Sequence, residues 1–240
     1  MIRIGTSGWN YPHWSGPFYP RDLNQDRWLR FYAERFSTVE INNSFYNLPA
    51  AGVFRSWRDS VPRGFVFSVK ASRYITHMKK LKDPRDSVRR FMDRASELGE
   101  KMGPVLFQLP PRWKVNPERL ESFLGELPEG PRYTFEFRDQ TWFCPEVYAL
   151  LRDRGAAFCI YHLAGTLTPR EVTADFVYVR LHGPGDAYQG SYNRETLSGW
   201  AGAFSSWDRG GRDVYCYFDN DQRGYAARDA GELRGMVSPR

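Results

Sequence analysis

The chain has 240 residues, 34 Lys and Arg against 28 Asp and Glu, a formal net charge of +6 and 16% aromatic residues. A hydrophobic share of 41% with 26% charged residues belongs to a folded globular chain and excludes a disordered or fibrous one. No apolar run approaches the roughly 20 residues of a membrane helix, the start lacks a signal-peptide pattern, and Cys144, Cys159 and Cys216, spaced widely with no CxxC pair, point to reduced thiols and a cytoplasmic setting.

Taken in order, short β-rich runs alternate with helical patterns. Strand Ile2–Gly5 is followed by a helix over Asp26–Phe36, strand Thr38–Asn42 by a helix over Ala50–Asp59, and strand Phe65–Lys70 by a helix over Asp86–Glu100. Strands Val105–Leu109 and Tyr133–Arg138 precede helices over Pro117–Glu126 and Pro145–Arg154. Strand Ala157–Tyr161 leads into an irregular stretch, Leu163–Asp175; strands Phe176–His182 and Val214–Asp219 then precede helices over Arg194–Trp207 and Gly224–Met236. Asn116 before Pro117, and Asn193 before Arg194, are helix start signals. Strands alternating with helices predict parallel βαβ units, and eight of them predict an α/β fold, the (β/α)₈ TIM barrel, as a single domain over residues 1–240. No GxGxxG follows the first strand, which counts against a dinucleotide-binding sheet.

Side chains alternate along a strand, so one parity faces the barrel interior and the other the helices. Val39 with Ile41, Phe135 with Phe137, and Val177 with Val179 and Leu181 mark the outward parity. Glu40, Asn42, Lys70, Gln108, Glu136, Arg138, Tyr178, Arg180, His182 and Asp219 fall on the inward one. Three carboxylates and three cations aimed into one space are costly unless they pair or serve a ligand, and most lie toward the strand C-termini, the face where such barrels place active sites. A polar plug is the structural alternative. Glu40, Glu136, Asp219 and His182 are metal-ligating residue types, yet Lys70, Arg138 and Arg180 oppose a bound cation, so no metal ligand set is assigned. On the metal-free alternative, Arg138 and Arg180 hold a phosphate or carboxylate while a glutamate or His182 moves a proton. The loop Gly183–Gly190 before Asn193 is a weak phosphate-loop pattern. Trp9, Tyr11, Trp14, Phe18 and Tyr19 crowd the loop after the first strand, and Phe45 and Tyr46 follow the second; such rings pack in a core or stack on a ligand.

Several segments carry a resemblance. Gly5-Thr-Ser-Gly-Trp-Asn-Tyr11 with Phe18-Tyr-Pro20, Glu40-Ile-Asn-Asn-Ser-Phe-Tyr46, Phe67-Ser-Val-Lys-Ala71 and Thr76-His77 are similar to successive signatures of the YecE-like family. Leu106-Phe-Gln-Leu-Pro-Pro111, Glu136-Phe-Arg138, Tyr178-Val-Arg-Leu-His-Gly183 and Tyr217-Phe-Asp-Asn-Asp221 continue it to the last strand. The resemblance implies a TIM barrel and brings no established reaction. Asp219 stands where that family commonly has Asn, and Asn47 where Arg is common.

Two functional readings follow. The first is an enzyme acting on a small anionic, phosphate-bearing ligand at the C-terminal barrel mouth, with metal-dependent phosphoester hydrolysis as a refinement by fold analogy. Its catalytic candidates are Glu40, Lys70, Glu136 and His182; Trp9, Asn42, Tyr46, Gln108, Arg138, Arg180, Asp219 and Asn220 are the ligand-binding candidates; the cofactor is unassigned. The second is a non-catalytic nucleic-acid-binding protein using the mouth aromatics and residues 70–101, which hold ten positive side chains against five negative. That window also reads as a solvated helix with interleaved charges.

Overall fold

The computed structural model describes residues 1–237. Eight parallel strands surround the molecule's axis: β1 (Ile2–Thr6), β2 (Thr38–Ile41), β3 (Val66–Lys70), β4 (Met102–Gln108), β5 (Tyr133–Glu136), β6 (Ala157–Leu163), β7 (Phe176–Leu181) and β8 (Asp213–Phe218). The helices are α1 (Trp28–Ala33), α2 (Asn43–Tyr46), α3 (Ala51–Asp59), α4 (Arg85–Ala95), α5 (Pro117–Gly125), α6 (Pro145–Asp153), α7 (Arg194–Arg209) and α8 (Tyr225–Met236). A two-residue strand, Thr166–Leu167, pairs antiparallel with β6 inside the stretch expected to be irregular. The expected barrel is present.

Its closure is uneven. β1 and β8 are laddered along their length, from Ile2 opposite Val214 to Thr6 opposite Phe218. Between β1 and β2 the backbones meet at Ser7 and Glu40, where Gly8 N donates to Glu40 O at 2.8 Å. Below that point the Tyr32 hydroxyl from α1 bridges the seam, accepting from Thr6 N at 2.8 Å and donating to Thr38 O at 3.0 Å. Buried strand groups must be paired, and here a side chain does what a ladder bond does elsewhere. Gly5 permits this approach, because a Cβ there would lie 2.2 Å from Thr38 O.

The parity rule holds around the sheet. Val39, Ile41, Phe67, Val69, Phe107, Phe135, Val179 and Cys216 are buried with the helices' apolar faces. Full burial of such side chains stabilises by about 1.5–3 kcal/mol each. Inside the barrel, earlier along the strands, Leu106, Ala157, Cys159, Phe176, Tyr178, Tyr215 and Tyr217 form a separate plug. The Tyr217 hydroxyl is satisfied there by Thr38 Oγ1 and Ser68 Oγ, each at 2.7 Å. Glu40, Lys70, Glu136, Arg180 and Asp219 lie in the strand C-terminal layer above this plug, whereas Arg132 and Asp213 pair at its other end, where Arg132 also donates to the Tyr215 hydroxyl.

Asn116 and Asn193 cap α5 and α7 as expected, their side chains accepting from Arg119 N and Thr196 N at 2.8 Å. The helix expected over Asp86–Glu100 ends at Ala95; a tighter turn, Ser96–Lys101, follows and contains Gly99 at φ +57°. Two short elements were not expected: α2, directly after β2, and a π-helical turn, Tyr74–Met78, directly after β3. Both border the barrel mouth. The aromatic loop after β1 is divided: Phe18 and Tyr19 pack against α1, with Tyr19 stacked on Trp28 at 4.6 Å, Trp14 packs on Phe18 and Tyr19, and Trp9 and Tyr11 face the mouth.

Not all the positive side chains of residues 70–101 reach the surface. Lys70 lies inside the barrel and Lys101 is buried, donating to Arg58 O and Val61 O at 2.6 and 2.7 Å. Arg85 pairs with Glu126, and Arg89 with Asp86. The window is a solvated helix flanked by inward-turned lysines. Among the described residues no helix is long and apolar enough to cross a membrane, and Cys144, Cys159 and Cys216 are free thiols.

Candidate functional site

Arg180, on β7, is the centre of the polar layer and has no solvent exposure. Its Nη1 donates to Glu136 Oε2 at 2.8 Å, and its Nη2 to Glu40 Oε1 at 2.7 Å and Asp219 Oδ2 at 3.0 Å. One guanidinium thus links carboxylates from β2, β5 and the end of β8. Glu40 is held further by the Tyr178 hydroxyl at 2.6 Å and by Ser7 Oγ. Glu136 accepts from Gln108 Nε2 at 2.8 Å and from Arg138 Nε. Burial alone raises the Glu136 pKa, yet Arg138 and Arg180 outweigh it and hold the carboxyl well below its ordinary range. Breaking such a buried pair by removing one partner costs about 3–5 kcal/mol.

His182 joins the same network. Arginine can only donate, so His182 Nε2 accepts from Arg138 Nη2 at 3.1 Å and the Nδ1–H donates to Asp219 Oδ2 at 3.0 Å. Burial pushes the Asp219 pKa up, but Arg180 and the His182 hydrogen bond bring it below the usual carboxylate value. The two arginines expected to clamp a ligand anion are therefore largely occupied by protein groups: Arg180 through Nη1 and Nη2, its Nε having no partner among the described residues, and Arg138 through Nε and Nη2.

Above this layer a cavity of about 790 Å³ opens at the C-terminal mouth. Asp219, Asp221, Asn42 and Lys70 form part of its wall with the rings of Trp9, Tyr11, Tyr46, Trp57 and Tyr188. Trp9 is held edge-on against Trp57 at 5.2 Å, and Tyr46 is 67% exposed at the rim. The amide Nδ2 of Asn42 donates to Ser7 Oγ at 2.6 Å, and its Oδ1 has no partner among the described residues.

Lys70 is the exception among the charges. It is 8% exposed, and its Nζ makes no hydrogen bond or ion pair among the described residues; its neighbour is the Phe45 ring, 4.3 Å away. Burial, aided by the Arg180 charge, lowers its pKa from the ordinary 10.5 to about 8. His77 also packs edge-on against Phe45, at 5.0 Å, and burial and the Lys70 charge lower its pKa to about 4. Asp221 moves the opposite way from Asp219: burial and the neighbouring Asp219 charge raise it.

Of the twelve candidates, Glu40, Asn42, Lys70, Gln108, Glu136, Arg138, Arg180, His182 and Asp219 converge, and Trp9 and Tyr46 stand over them in the cavity wall. Asn220 does not join: its Nδ2 donates to Gly190 O and Asp229 Oδ2, each at 2.8 Å, tying the loop after β7 to α8. Several amides of that loop are used within the protein. Gly183 N donates to the Tyr192 hydroxyl, Tyr188 N to His182 O and Gln189 N to Asp186 O, so these three amides are taken by protein groups. Ser7, Asp221 and Trp57 are site residues beyond the expected set. Ser7 continues the inward parity of Gly5, a signal that was readable; Asp221 and Trp57 lie outside the strands, where parity says nothing. Among the described residues no group of three His, Cys, Asp or Glu side chains is placed to hold a metal ion.

The sequence model for a protein of unknown function, DUF72, matches residues 3–240. The chain belongs to the DUF72 family. This DUF72 chain is 25% identical over 274 residues to UPF0759 protein YunF of Bacillus subtilis, covering 99% of itself and 95% of that protein. It superposes on the crystal structure of a DUF72 family protein from Thermotoga maritima with a TM-score of 0.90 at 28% identity, over 99% of both chains. A DUF72 family protein from Enterococcus faecalis, 17% identical, has a TM-score of 0.85 over 100% of this chain and 96% of that one, a likeness of fold.

Proposed function

We propose that this DUF72 protein is an enzyme that binds a small anionic molecule in the mouth cavity, with Lys70 as the group that meets the anion. The observation that carries the reading is the Lys70 amine: a cation in the cavity wall that, among the described residues, has no hydrogen bond or ion pair and meets only the Phe45 ring, beside a layer where Arg138 and Arg180 are ion-paired. A buried, unpartnered charge is expensive, and a ligand anion would remove that cost. The layer below supplies rigidity: Glu136, Arg138, Arg180, His182 and Glu40 fix one another. Trp9 and Tyr46 offer ring faces, and the unpaired Asn42 Oδ1 offers an acceptor to a ligand hydroxyl or N–H. A lysine with a pKa near 8 is suited to proton transfer close to neutral pH. The motifs that resemble the YecE-like family supply Trp9, Glu40, Asn42, Lys70, Glu136, Arg180 and His182, so we read the chain as a member of that branch.

Calorimetric titration with inorganic phosphate and with oxalate tests this. Both are expected to bind, more weakly as pH rises through about 8, where the ammonium is lost. Lys70→Met should weaken binding at least about tenfold, roughly 1.4 kcal/mol, and Lys70→Arg should preserve most of it. Salt-dependent binding of single-stranded DNA that survives Lys70→Met, without binding of either small anion, would replace the reading with the nucleic-acid one.

A further inference from the structure

We propose that the anionic ligand carries a carbonyl next to its charged group, as a 2-oxo acid does, and that Lys70 Nζ attacks that carbonyl to form a protonated imine. This rests on the reading of the mouth as a small-anion site and names its substrate class.

The lysines of this chain are not equivalent. Lys101 and Lys79 are donors to backbone carbonyls at 2.6–2.7 Å, and Lys80, Lys82 and Lys114 are exposed. Lys70 alone combines burial, a place in the cavity wall and an Nζ free of hydrogen bonds among the described residues. A lysine kept to neutralise the polar layer would pair with Glu40, Glu136 or Asp219; Arg180 binds all three instead. What remains is an amine packed against an aromatic ring with one open side, the environment that makes lysine a nucleophile. Desolvation supports the assignment: with a pKa of about 8, roughly a tenth of the amine is neutral at pH 7.

The step balances without an oxidant or reductant. The neutral amine forms a C–N bond to the carbonyl carbon as the C=O π pair moves to oxygen, which takes up a proton; the nitrogen loses a proton, giving the carbinolamine. A second proton on the hydroxyl lets it leave as water, and the nitrogen lone pair forms C=N. Counted from the ammonium, the exchange is ammonium plus carbonyl to iminium plus water, with charge conserved. The positive charge thus stays at Nζ, beside the ligand's own anion and the Asp219 carboxylate that lines the same cavity.

The test is reductive trapping of the whole protein with glyoxylate and sodium cyanoborohydride, mapped by peptide mass spectrometry. Lys70 is expected to gain a stable secondary amine at least about tenfold faster than Lys80, Lys82 and Lys114. Oxalate, an anion of similar size without an aldehyde, should slow labelling of Lys70 and leave the exposed lysines unchanged. Lys70→Arg should still bind glyoxylate by calorimetry while losing the label at this position. If glyoxylate binds but Lys70 labels no faster than the exposed lysines, or oxalate gives no protection, the imine proposal is overturned and the anion site stands. Absence of glyoxylate binding to the wild-type protein would overturn both.

Discussion

Lys70 carries its positive charge against its surroundings. Its tail is buried, Phe45 covers it, Arg180 repels it, and Glu136, Asp219 and Glu40 compensate in part. The sign of the consequence for stability follows from proton counting. Between about pH 8 and 10.5 the unfolded chain holds the Lys70 proton and the folded one does not, so this residue makes stability rise with pH across that window. A shift of this size corresponds to on the order of 3 kcal/mol. Chemical denaturation of Lys70→Met at pH 7 and pH 10 is therefore expected to show a more stable protein than wild type at pH 7, with the gain shrinking at pH 10. A variant less stable than wild type at pH 7 would contradict the free, desolvated amine.

Parity along the strands made much of this layer legible. Glu40, Asn42, Lys70, Glu136, Arg180 and Asp219 converge because alternation forces them inward, and Asn220 turns away because it is one residue out of phase with Asp219. What alternation cannot give is partnership. Arg138 and Arg180 read as anion binders in the sequence; only the folded chain shows that three carboxylates reach Arg180 and leave Lys70 alone.

At the scale of elements, the eight strands and their connecting helices were readable because each repeats a period long enough to recognise. The elements that shape the mouth were not. α2 is four residues long, too short for a 3.6-residue pattern, and the π-helical turn after β3 has no residue signature of its own. The β1–β2 seam escaped for another reason: Tyr32 lies in a helix pattern, where its ring reads as core. Its hydroxyl instead joins Thr6 N to Thr38 O across the gap. Tyr32→Phe should leave both groups unpaired and destabilise the barrel by about 1–3 kcal/mol, with faster amide exchange at Thr6 than on the fully laddered β7–β8 pair. Exchange protection unchanged at Thr6 would show that the seam closes without the tyrosine.

At the scale of the molecule, the fold separates two interior environments stacked along one axis. An apolar and tyrosine plug seals the early part of the strands, and the ionic layer above it contributes Lys70 and Asp219 to the wall of a 790 Å³ cavity. The net charge of +6 has little bearing on this arrangement, since much of the basic window is solvated or paired at the surface. The decisive charge is one amine. Its titration, followed by NMR of ¹³C-labelled lysine side chains with the Lys70 signal assigned by Lys70→Arg, is the most direct measurement. The Lys70 Cε resonance should titrate with a midpoint near pH 8 in the free protein, and move to higher pH on addition of oxalate as the bound anion holds the ammonium. A midpoint near the ordinary 10.5 that oxalate does not move would contradict the account.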